Sequence, residues 1–172
     1  MVLIMFGDKS GGATRKKMKL DQTDIHILEI LQENGRITNT LLAEKIGISP
    51  PSMLERVRKL ERAGIIEKYV ALVDRKKIGY GLLAIVIVSL SLHQVSSLKK
   101  VIEQLAELKE VQECYQLTGD VDFLLKVAIA DMDSYTDFVN NKLSGIPGIQ
   151  NIKTSFVLSC IKSNTSYPLP VK

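Results

Sequence analysis

The chain has 172 residues, of which 45% are hydrophobic, so it is long enough to bury one large core or two small ones. Its net charge of +4 is a mild excess, which permits a polyanionic partner without requiring one. The two cysteines are too few for a disulfide framework, and neither they nor the two histidines have the spacing of metal ligands. We expect Cys114 and Cys160 to be buried strand residues in a reducing compartment.

Most of the charge excess lies near the N-terminus. Residues 1–75 hold 13 basic and 10 acidic side chains. Five of these bases lie in a Gly- and Ser-containing leader without hydrophobic periodicity, which predicts a flexible basic arm or a merely solvated tail. The opening apolar run is too short for a signal peptide, and the longest nearly apolar stretch, in residues 82–92, is far below a membrane span. We therefore expect a soluble, cytoplasmic protein without a membrane partner.

Helical periodicity begins at Leu20 and predicts two short helices in succession. The first is preceded by Asp21 as N-cap, followed by Asp24 as the acidic third residue of a capping box, and is closed by Gly35. Its apolar stripe is predicted to contain four residues, Ile25, Leu28, Ile30 and Leu31. The second helix, "NTLLAEKIG", is predicted to bury Leu41, Leu42 and Ile46, with Gly47 making the turn that follows.

The third helix follows two adjacent prolines. Proline is harmless where the first backbone donors of a helix have no partner, and Ser49 can cap that end, so the helix is expected to begin near Pro51 and to end at Gly64. A rotation of about 100° per residue places Met53, Val57 and Leu60 on one face. A helix, a turn and a second helix in this order are typical of a motif that presents its second helix to the DNA major groove.

The outward face of this third helix is predominantly basic. Side chains on it can reach base edges from the first turn, while those on its flanks can reach phosphates. The alternative is a solvated amphipathic helix in a small bundle. The candidate DNA-binding residues are Ser49, Ser52, Glu55, Arg56, Arg58, Lys59 and Arg62.

The pattern changes after the third helix. "GIIEKYVALVD" is rich in β-forming residues and suggests a strand or wing. Beyond the linker, strands are expected at 82–92, 111–118, 122–130 and 149–159, with helices at 96–108 and 131–143. That order, βαββαβ, indicates a ferredoxin-like domain, so the predicted fold class is α+β with an N-terminal winged helix-turn-helix. The predicted domain limits are an arm at 1–19, a DNA-binding domain at 20–74, a linker at 75–81, a ferredoxin-like domain at 82–162 and a tail at 163–172.

The first strand of the second domain is apolar on both faces. Leu83, Ile85 and Ile87 alternate with residues that point the other way, so the strand needs two covers. The helices of the domain supply one cover, and a second copy of the same sheet is the simplest supplier of the other. We therefore expect a homodimer formed through this domain.

A hairpin between two strands of the second domain carries polar residues. Gly119 provides the backbone freedom of such a turn, which by itself is a common structural feature. Asp120 and Asp122 lie two positions apart, on the same side if the segment is extended. Carboxylates there could bind an α-ammonium group, and backbone N–H groups of the turn could bind an α-carboxylate.

Three stretches together resemble one known family. They are "LDQTDIHILEILQENGRIT", "LAEKIGISPPSMLERVRKLERAGIIEKYVALVD" and "TGDVDFLLKV" with "YTDFVNNKLSGIPGIQNIKTSFVL". In this order they resemble the Lrp/AsnC family of feast/famine regulators, from about Leu20 to Lys162. The proline pair at 50 and 51 departs from the small or hydroxyl residue that is commoner in the family at the second position.

The resemblance implies a DNA-binding transcription regulator with an amino-acid effector. It implies dimers that assemble further, commonly into octamers, with the effector bound between dimers. The family's effector loop matches the hairpin, and its pocket also draws on the facing helix and last strand. The effector-binding residues implied in this way are Gln116, Thr118, Gly119, Asp120, Asp122, Thr136, Asn140 and Thr154.

Two other functions are compatible with these residues. The first is an amino-acid-sensing module that acts on a protein partner through its helical half. The second is an enzyme that uses Asp120 and Asp122 as acid and base. We expect that the protein is not an enzyme and that it binds no metal and no cofactor other than the amino-acid effector. The sequence lacks a nucleophile paired with a base, a phosphate-binding loop and a metal-ligand cluster.

Overall fold

The computed structural model describes residues 18–91 and 98–169, which form two compact units. The N-terminal unit comprises the described residues up to Val70 together with 164–169, and the C-terminal unit comprises those from Ala71 to Ser163. Residues 1–17 of the predicted arm, residue 92 of the predicted first strand and the predicted helix start at Ser96 lie outside the described residues, as do 170–172 of the tail.

The N-terminal unit contains three helices, α1 (Gln22–Glu33), α2 (Asn39–Ile46) and α3 (Pro50–Arg62). The capping box predicted at the start of α1 is present, because Asp24 N–H donates to the Asp21 carboxylate over 2.8 Å and the reverse bond is also made. The C-cap of α1 is Asn34, one residue before the predicted Gly35. Gly47 ends α2 at φ 80°, a left-handed conformation that favours glycine.

The core of this unit is formed by one face of each helix. Met53, Val57 and Leu60 of α3 are buried, as the periodicity predicts. Two predictions differ from the structure. Ile27, which the predicted stripe of α1 omits, is fully buried, and Leu41 of α2 is 52% exposed instead of buried. Both differences arise because the packing partners, not the helix period alone, select which flank of a helix faces the core.

The strand predicted after α3 is not formed. Residues 67–74 adopt neither helix nor strand, and Tyr69, Val70, Leu72 and Val73 are all exposed. A β-forming sequence becomes a strand only when another strand completes its hydrogen-bond ladder. In the described part of the chain, the four-stranded sheet does not include this segment.

The C-terminal unit has the βαββαβ order expected from the sequence. Its elements are β1 (Leu82–Leu90), α4 (Leu98–Glu107), β2 (Val111–Gln116), β3 (Phe123–Ile129), α5 (Met132–Asp137) and β4 (Ile149–Phe156), with a π-helical turn at Phe138–Leu143 directly after α5. The predicted helix at 131–143 is therefore α-helical only in its first half. A π turn forms hydrogen bonds between residues five positions apart instead of four, as from Ser144 N–H to the Val139 carbonyl, and the residue periodicity does not reveal this change.

The strands form one antiparallel sheet in the order β2-β3-β1-β4. Both helical segments cover one face, where Val86, Leu125, Leu105 and Phe138 belong to a single buried cluster. The opposite face of β1 carries three apolar residues that remain partly exposed, Leu83, Ile85 and Ile87. Both faces of β1 are therefore apolar, as predicted, but within one chain only one of them is fully covered.

Neither cysteine is buried, contrary to the sequence-based expectation. Cys114 lies in β2, an edge strand, where it shares the core face with its cross-strand partner Leu125 but remains exposed, and Cys160 follows the end of β4 outside any strand. Partial burial raises the pKa of the Cys114 thiol above its usual value.

Candidate nucleic-acid interface and ligand site

The local sequence positions α3 as an exposed rod. The left-handed Gly47 turns the chain out of α2, and Ser49 caps α3 by accepting a hydrogen bond from Ser52 N–H at 3.4 Å. The helix begins at Pro50, one residue earlier than predicted, because both prolines occupy its first positions, where no backbone donor is needed. Burial of the opposite face fixes the outward face, which presents Ser52 to solvent.

Three basic side chains lie on the outward face and the flanks of α3. Arg58, Lys59 and Arg62 are all exposed. Arg62 pairs with Glu55 at 2.5 Å between atoms that are both well solvated, which makes this ion pair weak and exchangeable. Within the described residues, no salt bridge involves Arg58 or Lys59. These two cations can therefore approach phosphates without first breaking an internal pair.

Arg56 occupies a different environment from the other predicted contacts. Its guanidinium donates to Asp21 at 2.8 Å and to Asp24 at 2.7 Å. A backbone hydrogen bond from Asp24 and the side-chain hydrogen bond from Arg56 hold the pKa of Asp21 below its usual value. The same two carboxylates raise the pKa of Arg56. The structure thus uses Arg56 to join α3 to the capping box of α1, although its side chain remains 31% exposed.

The hairpin between β2 and β3 is held at the end of β1 by Asp122. The carboxylate of Asp122 accepts a hydrogen bond from Leu90 N–H at 2.7 Å, and its backbone N–H donates to Val88 O at 3.1 Å. Asp120 is exposed, and Gly119 has a φ of 110°. Residues 118–120 and 122 are bends, so the alternation of an extended strand does not apply there. The two carboxylates consequently differ, since Asp122 is already hydrogen-bonded to the sheet.

A second polar group lies on the helical face of the sheet. The hydroxyl of Thr154 in β4 forms a hydrogen bond with the hydroxyl of Tyr135 in α5. The ring of Tyr135 packs edge-on against Phe156, with centroids 4.9 Å apart. Thr136, the neighbouring predicted residue, is exposed and donates to the Met132 carbonyl at 2.9 Å. Asn140 is exposed within the π-helical turn.

The hairpin and the Tyr135–Thr154 pair are separate groups within one chain. Thr154 pairs with Val86 on the β4 side of β1, whereas the hairpin precedes β3 on the other side. Two strand spacings correspond to about 10 Å, and the register adds further distance along the strands. The structure therefore does not bring all eight predicted effector residues into one cavity of a single chain.

The sequence-based reasoning missed several residues of these groups. Tyr135 and Phe156 join Thr154, and Asp21 and Asp24 bind Arg56. The strand period offered a signal for Phe156, because it lies two positions after Thr154 and so faces the same side. Nothing in the local pattern indicated that the carboxylates of the capping box bind an arginine more than 30 residues away.

The fold and these sites define a class of protein. A helix-turn-helix unit with an exposed basic second helix belongs to proteins that bind double-stranded DNA. It is joined covalently to a sheet domain with a polar hairpin, in the manner of a regulator whose second domain senses a ligand.

Comparison with known families identifies both parts. Residues 20–67 match the family model described as winged helix-turn-helix DNA-binding, and residues 83–167 match the one described as the Lrp/AsnC ligand binding domain. The transcriptional regulator AzlB of Bacillus subtilis is 40% identical over 150 residues, which cover 87% of this chain and 96% of that protein. The leucine-responsive regulatory protein of Rhizobium meliloti is 38% identical over 146 residues, covering 85% and 94% respectively.

Solved structures agree with these relatives. A transcriptional regulator from Neisseria meningitidis, crystallised as a complex with L-Met, is 39% identical and superposes with a TM-score of 0.83, covering 87% of this chain and 97% of that one. AsnC of E. coli is 30% identical with a TM-score of 0.81, covering 88% and 100%. The chain belongs to the Lrp/AsnC family and is a DNA-binding transcription regulator that responds to an amino acid. None of the helices in residues 18–91 and 98–169 has the length and apolarity that a membrane crossing requires.

Proposed function

We propose that the protein reads duplex DNA with α3 in the major groove. The first turn, with Ser49, Ser52 and Glu55, faces base edges, and the basic residues farther along the helix contact phosphates. The observation that carries this proposal is the outward face of α3, where Arg58 and Lys59 are exposed while Met53 and its buried neighbours hold the opposite side in the core.

Arg56 takes a positioning role in this interface. Because its guanidinium is bound by Asp21 and Asp24, it orients α3 relative to α1 and contributes only a partly neutralised charge to the DNA surface. Arg62 can exchange Glu55 for a phosphate, since that ion pair is exposed to solvent. The strongest phosphate contacts therefore come from Arg58 and Lys59.

The functional assembly is at least a homodimer through the sheet. The face of β1 with Leu83, Ile85 and Ile87 and the adjoining Leu124 of β3 is apolar and incompletely covered, which suits pairing with a second copy. Lys126 and Glu113 form an ion pair at 2.8 Å on the same face, and they supply a polar element that can set the register of two sheets. Further assembly of dimers, as in the octamers that the family resemblance implies, presents several α3 pairs to one DNA segment.

The effector is a free amino acid bound where chains meet. Asp120 is the exposed carboxylate available for an α-ammonium group, and Thr118 and Gly119 contribute backbone N–H groups for an α-carboxylate. Gln116 and Asp122 position this loop. Thr136, Asn140 and Thr154 lie elsewhere in the unit, so they join the loop only when another chain brings its own copy of them close. The names of two relatives, one leucine-responsive and one bound to L-Met, favour an apolar amino acid of similar size.

Regulation then follows from differential binding. An effector that binds between chains stabilises the assembly for which it has the higher affinity. The spacing of the α3 pairs changes with the assembly. The protein acts in the compartment that contains the DNA, the cytoplasm, and without a catalytic step.

Two measurements on purified protein test this function. Fluorescence anisotropy with a duplex should show an affinity that falls steeply with salt, and native mass spectrometry against the twenty amino acids should show one ligand together with a change in assembly. Duplex affinity that is indifferent to ionic strength would instead favour a sensor acting on a protein partner. A monomer with and without every amino acid would contradict the assembly.

A further inference from the structure

The end of the chain is hydrogen-bonded to the first helix of the N-terminal unit. The side-chain amide of Gln32 in α1 makes two bonds with the backbone of one residue, Tyr167. Tyr167 N–H donates to Gln32 Oε1 at 2.7 Å, and Gln32 Nε2 donates to the Tyr167 carbonyl at 3.1 Å. The side-chain amide thus bonds to both the N–H and the carbonyl of one residue, as a paired residue of an adjacent strand does in an antiparallel sheet. This pair of bonds fixes the backbone of Tyr167 in position.

An apolar contact accompanies this pair. Leu169 packs against the core cluster of the N-terminal unit and is partly buried, in the same group as Leu20 and Ile30. The ring of Tyr167 is 80% exposed, so the side chain of this residue is not what the surface recognises. The segment is therefore held by the backbone of Tyr167 and the side chain of Leu169.

The sequence of the segment prepares it for this position. Ser166 N–H donates to the Asn164 side chain at 3.0 Å, which forms a local turn. Pro168 disfavours the helical conformation of the residue before it and so keeps Tyr167 extended, with its N–H and carbonyl both accessible. Pre-ordering of this kind reduces the conformational entropy lost when the segment binds.

We propose that the surface of α1 around Gln32 is a binding site for the C-terminal segment of this same chain, residues 164–169. The C-terminal unit includes β4 and ends at Ser163, so the bound segment is a second covalent connection between the two units, in addition to the stretch that follows α3. This inference rests on the contacts of the N-terminal unit and does not depend on the proposed DNA or effector sites.

Hydrogen exchange with mass spectrometry on the intact protein tests the site. The probe for the unbound state is the free peptide SNTSYPLPVK, which has the sequence of residues 163–172. We expect the Tyr167 amide in the C-terminal peptide of the protein to exchange about tenfold more slowly than the same amide in the free peptide, because a hydrogen bond of this strength corresponds to roughly that factor. Gln32→Ala should return the exchange to the rate of the free peptide, and Leu169→Ala should move it in the same direction.

Two matched variants act as controls. Glu33→Ala alters the neighbouring exposed residue of α1, and Tyr167→Phe removes only an exposed hydroxyl, so both should leave the C-terminal exchange slow. Peptides from α3 show whether the fold of the unit is intact in each variant. A C-terminal segment that exchanges at the free rate in the unaltered protein, or one that is unaffected by Gln32→Ala, would overturn the proposal.

Mixing two variants separates binding within a chain from binding between chains. Copies with Gln32→Ala retain the segment but lose its site, and copies that end at Ser163 retain the site but lose the segment. Binding within one chain predicts fast exchange of the segment both before and after mixing. Recovery of slow exchange in the mixture would mean that one copy binds the segment of another, which contradicts the assignment to the same chain.

Discussion

The guanidinium of Arg56 in α3 donates to the carboxylate of Asp24 in α1 over 2.7 Å, and that carboxylate is only 1% exposed. The same arginine bonds to Asp21, the N-cap of α1, so one side chain of α3 completes the start of another helix. The orientation of α3 is therefore coupled to the capping of α1.

This coupling predicts different effects for two neighbouring arginines. Arg56→Ala leaves the buried Asp24 carboxylate without its cation and should lower the free energy of unfolding of the N-terminal unit by about 2 kcal/mol. Arg58→Ala alters an exposed side chain and should change it by less than about 0.5 kcal/mol. Urea unfolding followed by circular dichroism measures both, and equal effects of the two substitutions would contradict the role of Arg56.

The lowered pKa of Asp21 predicts a loss of stability in acid. A carboxyl group whose pKa is lower in the folded state stabilises the fold above its ordinary pKa of 3.8, and this contribution is lost as pH falls through the folded value. The N-terminal unit should therefore unfold at lower urea concentration at pH 3 than at pH 5. Asp21→Asn should reduce this difference, whereas Glu33→Gln, an exposed change in the same helix, should leave it as it is in the unaltered protein.

Substitution of Lys59 should change the salt dependence of DNA binding. Each phosphate contact contributes about 0.9 to the slope of log affinity against log salt concentration, so Lys59→Ala should make that slope shallower by about this amount. The affinity should fall by a similar factor for all duplex sequences, because a phosphate contact carries no sequence information. Lys109→Ala, an exposed lysine of the other unit, should leave slope and affinity unchanged in the same anisotropy titration.

Substitution of the two hairpin carboxylates should have different effects, one on the stability of the C-terminal unit and the other on effector binding. Asp122→Ala removes the acceptor of Leu90 N–H and should destabilise the C-terminal unit by about 1 kcal/mol. Asp120→Asn should leave stability unchanged but weaken the effector about tenfold, because it removes the charge that binds the α-ammonium group. Calorimetric titration with the amino acid selected by native mass spectrometry provides the affinities. Tight binding by Asp120→Asn would exclude Asp120 from the site.

The uncovered sheet face should control assembly. Leu124→Asp places a charge between Ile87 and Tyr115 on that face, and burial of an unpaired carboxylate at a sheet-to-sheet contact is costly. We expect light scattering to show a shift from dimer toward monomer. Ile102→Asp introduces the same charge on the exposed side of α4 and should leave the molar mass unchanged.

The local residue pattern was sufficient to predict features that depend only on residues close together in the sequence. The period of α3 predicted its three buried residues, and the spacing of Asp21 and Asp24 predicted a capping box. The strand and helix order of the second domain also follows from alternation and turn residues. These features depend on neighbours within a few positions, so residue order alone specifies them.

Only the tertiary structure decided the features that join distant residues. Arg56 and Asp21 are 35 positions apart, and Gln32 and Tyr167 are 135 apart, so no periodicity links them. The missing strand at 67–74 and the exposed cysteines also depend on the tertiary structure. A strand needs a neighbouring strand for its hydrogen bonds, and a buried cysteine needs side chains that pack over it, and both depend on how whole elements are arranged. The sequence alone determined which residues form α3 and the sheet, whereas folding decided which of their charges remain unpaired, because an ion pair or an amide pair requires two groups to meet in space.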